Sequence, residues 1–154
     1  PLVGCRISNV RQKNVYIHGT LENPVHAKNL RNTMGKIYLE HTKPFIVAVD
    51  ACLGKTEHVG CVSIGEGPIK PGSALNKDLS PIGAINIMGI VNIGGFMDFL
   101  ILQNTRLCVV MKMAEFIANG IRHVLWKAEK NPLLCSFSSI YTDHFQNQKS
   151  NNTK

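Results

Sequence analysis

Several things are missing from this chain, and each absence removes a class of protein. No stretch approaches the roughly 20 uninterrupted apolar residues of a membrane helix. The richest run, Phe96 to Leu102, is cut by Asp98 and followed by Gln-Asn-Thr-Arg. No basic-then-apolar leader with a small-residue cleavage site precedes the first polar positions, so nothing points to secretion. The five cysteines (Cys5, Cys52, Cys61, Cys108, Cys135) are odd in number, scattered, and free of any C-x-x-C pair. That pattern fits thiols used as small core residues in a reducing interior, and the expected location is cytoplasmic. There is no G-x-S-x-G elbow, no H-E-x-x-H, no Walker spacing and no dinucleotide fingerprint.

What is present is a 154-residue chain with 44% hydrophobic residues and a mean hydropathy of +0.01. These values suit one compact domain over residues 1–131, followed by a polar, aperiodic tail over 132–154 that is expected to fray. The net charge is +7, from 17 Lys+Arg against 10 Asp+Glu. The basic residues are spread singly, and the densest cluster, Arg6 to Lys13, has no interleaved aromatics to stack on bases. The expectation is therefore no nucleic acid and no membrane; an acidic peptide or protein would suit the same surface.

The hydrophobic pattern alternates between strand and helix. Pro1 to Val10 fits part of a helix, and Val15 to Leu21 reads as a strand. Asn23-Pro24 then supplies helix-start chemistry for a helix ending near His41, because Pro44 disfavours helical geometry just before it. Phe45 to Val49 lacks polar alternation and reads as a central strand covered on both faces. Val59 to Ile64 and Ile85 to Val91 are further strands, separated by a breaker-rich loop, Gly65 to Pro81, too long for a simple connector. Helical spacing returns over Phe96 to Gln103 and Leu107 to Trp126, as one interrupted helix or two packed ones stopped near Pro132. This order predicts a three-layer α/β domain with a mostly parallel sheet, whose chemistry belongs at the carboxyl ends of strands.

Glu22, Asp50 and Asn92 fall at such ends in this reading. Asp50 is a candidate catalytic acid, against the alternative of a carboxylate accepting loop N–H bonds or pairing with Lys55. Glu22 could simply offset the partial positive charge of a helix start. His58 reads as a surface residue, with a general base or a ligand as the alternative. His18 and His26 read as structural or surface residues. The loop G-E-G-P-I-K-P-G-S suggests a phosphate cradle only superficially, since two prolines remove donors that a cradle would need.

The motifs V-D-A-C-L-G, H-V-G-C-V-S-I-G-E-G-P-I-K-P-G-S-A-L-N-K-D-L, G-I-V-N-I-G-G-F-M and L-Q-N-T-R-L-C-V-V-M-K-M-A occur in order. With them the chain resembles, over about residues 1–125, the YyaC family of sporulation proteins of endospore-forming bacteria. That family looks related to the spore germination protease, through an apolar strand ending in Asp and an I-x-P-G-S loop followed by Asn, matched here by Ile69 to Ser73 and Asn76. It is more distantly similar to hydrogenase maturation endopeptidases. The resemblance implies a phosphorylase/hydrolase-like α/β fold and a peptidase acting on a protein or peptide substrate in the sporulating cell or spore, with a pair of acids. Asp50 matches one acid; Glu22, His58, Asn76 and Asn92 would line the cleft or order its loops.

Pro1-Leu2-Val3-Gly4 looks like the tail of the relatives' first motif, so the resemblance also implies that the first strand and its acid lie upstream of Pro1. No cofactor and no metal ligand set is expected, because the histidine that the maturation endopeptidases use is replaced by Ile93-Gly94-Gly95. The alternative is a catalytically inactive, peptidase-like binding or regulatory protein; a small-ligand hydrolase on the same fold is a third possibility.

Overall fold

The run I-N-I-M-G-I-V-N-I is the organising strand of the molecule. In the computed structural model, which describes residues 1–69, 81–95 and 98–131, it forms β3 (Ile85–Ile93), flanked by β1 (Val47–Gly54) on one side and β2 (Val62–Glu66) on the other. Helices α1 (Leu2–Ile7), α2 (Leu30–Glu40), α3 (Asp98–Gln103) and α4 (Leu107–Lys130) complete a mixed α/β architecture. None of the described helices is long and apolar enough to cross a membrane.

The sheet is mixed, not mostly parallel. β1 runs parallel to β3, with Val49 opposite Ile87 and Asp50 opposite Met88. β2 runs antiparallel to β3, with Ser63 opposite Met88 and Gly65 opposite Asn86. The cause is local. The chain leaving β2 returns to β3 across a closed base, where Gly67 N–H donates to Ala84 O at 2.7 Å and Ile69 and Ile82 exchange two bonds of 2.9 Å. Adjacent antiparallel strands need only such a reversal, whereas a parallel pair needs a crossover.

Pleat alternation assigns the sheet's two faces. A Cβ added to Gly89 would lie 3.0 Å from Met113 Cε and 3.9 Å from Ile117 Cδ1, so Ile87, Gly89 and Val91 face α4. Met113, Ala114, Ile117 and Ala118 form the buried stripe of that helix. The stripe explains why α4 runs unbroken through Gly120. That glycine has open space around it, and its cost of about 1 kcal/mol is small beside the burial of the stripe. The break before α4 arises because Asn104 Nδ2 donates to Leu100 O and Thr105 Oγ1 to Ile101 O, bonds that compete with helix continuation.

Three further expectations differ from the structure. Val15 to Leu21 forms no strand. Its Leu21 N–H donates to Cys5 Sγ at 3.1 Å, Gly19 lies at φ +89°, and Gly4 of α1 approaches the Gly19 carbonyl so closely that no Cβ fits. Extended propensity without a partner strand among the described residues does not make a sheet. The second helix begins at Leu30 instead of Pro24, with Asn29 in place of Asn23 at its start. Asn29 Oδ1 accepts from His26 N–H and its Nδ2 donates to Pro24 O, both at 2.8 Å, and so holds the preceding turn non-helical. Finally, β1 is an edge of the described sheet and not its centre, and Phe45, Val47 and Val49 are exposed.

α1 packs on α4 through polar links at its rim. Arg6 pairs with Glu115 Oε2 at 2.9 Å, Arg122 Nη1 donates to Arg6 O at 2.8 Å, and Gln12 Nε2 donates to Leu125 O at 3.0 Å.

Candidate active site

Opposite the α4 face, the alternate residues of the three strands form short rows. Ala48, Asn86 and Gly65 make one row across β1, β3 and β2; Asp50, Met88 and Ser63 make the next; Cys52 and Ile90 follow. Asp50 is therefore the fourth residue of an eight-residue strand and not a residue beyond its end. The strand continues because Ala51 and Cys52 still pair with Gly89 and Ile90; partner geometry carries β1 through the carboxylate.

The Asp50 carboxylate accepts from Ala51 N–H at 2.8 Å. Its surface remains open to solvent, yet enough protein crowds the carboxyl to raise its pKa. Desolvation is the main cause, opposed by the Ala51 bond. No ion pair with Lys55 is formed. Two residues along, the Cys52 thiol is pushed up by burial and secondly by the Asp50 charge, which keeps it protonated and poorly nucleophilic. Asp50 thus has the character of a weakened acid, able to hold and release a proton at a higher pH than a free aspartate.

Glu22 is elsewhere in character. It is exposed in the bend after Leu21, where Cys5 Sγ donates to its Oε2 at 3.7 Å. Its own backbone N–H and the Thr20 hydroxyl lower its pKa, and the Cys5 thiol adds to this against a small effect of burial. Neither Glu22 nor Asp50 is among the charges that shift the other. His58 closes an exposed single 3-10 turn, Thr56–His58, just after β1. Asn92, near the end of β3, donates from Nδ2 to Ile101 O (3.2 Å) and Thr105 Oγ1 (3.3 Å), tying the strand to the end of α3. Asn76 lies outside the described residues, as do the greater part of the breaker-rich loop and the polar tail. Among the described residues, no three His, Cys, Asp or Glu side chains cluster as a metal set would.

Asn86, Ser63 and Cys52 share the Asp50 face and were not singled out by motif. The signal was present in the alternation of β3, where Asn86 and Met88 alternate with Ile85, Ile87 and Gly89.

Comparison with known proteins agrees with the motif resemblance. The model of a family described as "Protein of unknown function (DUF1256)" matches residues 1–120. "Uncharacterized protein YyaC" of Bacillus subtilis (strain 168) is 44% identical over 137 residues, which span 86% of this chain and 67% of that protein. No solved structure matches. With more than half of the chain covered by the family model and this identity to a family member, the chain belongs to the YyaC (DUF1256) family.

Proposed function

We propose that this chain is a sporulation-associated peptidase domain that hydrolyses a protein or peptide substrate with a pair of acidic residues, Asp50 being one. The observation that carries this reading is the Asp50 carboxyl itself. It is reachable from solvent, has no cationic side-chain partner among the described residues, and is desolvated enough for its pKa to rise. A structural aspartate is ordinarily stabilised as an anion, whereas a general acid must keep a proton near working pH. Such a group can protonate a leaving amine; activation of the attacking water belongs to a second carboxylate. The phosphorylase/hydrolase-like three-layer fold and the spore protease relationship are part of the same proposal, resting on the I-K-P-G-S and V-D-A motifs.

The alternative is a peptidase-like binding or regulatory protein; Glu22, exposed, lowered in pKa and engaged with Cys5, does not supply the second carboxylate. The deciding experiment incubates the natural full-length protein and its Asp50→Asn variant with extracts of sporulating cells and follows the cleavage products by mass spectrometry. The peptidase reading expects products that vanish with the variant. Identical patterns, or no products from either protein, eliminate it.

A further inference from the structure

The sheet face that carries Asp50 also carries a side chain aimed at the base of the long connection between β2 and β3. Asn86 Nδ2 donates to Gly67 O at 3.0 Å. Three neighbours make room for this bond. Asn86 is paired with Ala48 on β1 and Gly65 on β2, the two smallest residue types. A Cβ added to Gly65 would lie 3.1 Å from both Nδ2 and Oδ1 of Asn86, so the glycine leaves space for the amide. Gly67 adopts φ +94°, a conformation that side-chain-bearing residues rarely take, and in it the carbonyl meets the amide. The backbone bonds Gly67–Ala84 and Ile69–Ile82 hold the two sides of the base to each other. Among the described side chains, Asn86 alone ties that base down to the Asp50 face. Strand spacing and rise put Asn86 and Asp50 about 8 Å apart as diagonal neighbours on adjacent strands.

We propose that Asn86 is a positioning residue of the Asp50 site, its side-chain amide clamping the base of the Gly67–Ile82 connection onto the sheet face that carries the candidate acid. Its consequence for catalysis rests on the peptidase reading above; the clamp itself does not. Geometry explains why an amide is needed. The acceptor is a backbone carbonyl, so a donor is required. An aspartate at this position would have the shape without the donor while ionised.

The test measures hydrogen exchange at the Gly67, Ile69 and Ile82 amides, corrected for intrinsic rates, in the unsubstituted protein and in Asn86→Leu and Asn86→Asp. Exchange at the base rises roughly fivefold to tenfold in Asn86→Leu, the loss of one ordinary hydrogen bond, while the Gly89 and Val91 amides under α4 stay as protected as before. Asn86→Asp matches Asn86→Leu at neutral pH and recovers below about pH 4, where the carboxyl regains a proton to donate. Should Asn86→Leu fail to fold, Gly65→Ala perturbs the same amide from the neighbouring strand and loosens the same three amides. Unchanged exchange at the base in a folded variant, or no recovery of Asn86→Asp in acid, overturns the clamp. In the extract assay, Asn86→Leu slows cleavage by about tenfold; full-rate cleavage with a loosened base overturns the positioning role. An unsubstituted protein that cleaves nothing defeats the peptidase reading and leaves the clamp to be decided by exchange alone.

Discussion

The two faces of one small sheet follow opposite rules. Beneath α4, β3 buries Ile87, Gly89 and Val91, and the glycine lets Met113 approach, while the flanking Val47, Val49 and Ile64 stay exposed. On the other face the same strands present Asn86, Asp50 and Ser63, with a carboxylate whose desolvation disfavours its charged form. A stabilising face tolerates no such group unless it is paired. The contrast puts the desolvated carboxyl on the face away from α4, and perturbed acids tend to cluster at functional sites.

Substitutions at the two faces sharpen or break this contrast. The largest effect is expected from Asp50→Asn on cleavage in the extract assay, a loss of about 10²–10⁴-fold if the side chain transfers a proton in the transition state. Ile117→Ala should do the reverse, costing about 2–5 kcal/mol in urea denaturation by opening a cavity under β3 while leaving the acid in place. Gly89→Ala should cost about 1 kcal/mol, near the low end for overpacking, because the obstructing atom, Met113 Cε, ends a flexible side chain.

The pH dependence comes next. A carboxyl whose pKa is raised on folding binds more protons in the native state than in the unfolded state, so stability falls as pH rises from the reference value of 3.8 through the raised native value, and then levels off. Asp50→Asn removes that decline and retains an oxygen for the Ala51 N–H. The variant is therefore expected to melt slightly higher than the parent at neutral pH and no higher in acid, as checked by calorimetry across pH. A variant less stable at neutral pH would mean that Asp50 is a structural anion, and the contrast between the faces would collapse. The smallest effect is expected at the α1–α4 rim, where Glu115→Gln should cost about 1 kcal/mol, since the pair with Arg6 is part-exposed and the amide keeps an oxygen for the guanidinium.

Much of this contrast was legible in the residues. The apolar run before Asp50, the alternation from Ile85 to Val91 and the spacing of Met113, Ala114, Ile117 and Ala118 all mark elements that formed. The less legible parts share a cause. Val15 to Leu21 has strand composition, but strand formation is a property of pairs, and its backbone found Cys5 and α1 instead. Asn23-Pro24 has helix-start chemistry, but the Asn29 side chain competes for the same turn. Asp50 looked like the residue after a strand because the breaker Gly54 follows so soon; pairing with Met88 to Ile93 carries the strand up to that glycine. Asn86 carried no motif, since its meaning depends on two small neighbours from other strands and on one carbonyl across a closed base.

The sequence by itself determined the family, the α/β character and the identity of the candidate acid, because ordered motifs and local periodicity are properties of contiguous residues. Only the tertiary structure decided that the sheet is mixed, that Asp50 lies within β1 and that Asn86 shares its face. Each of those depends on which strand lies beside which, and on how much protein crowds a charge. Such quantities are set by residues far apart in the chain, and no local pattern encodes them.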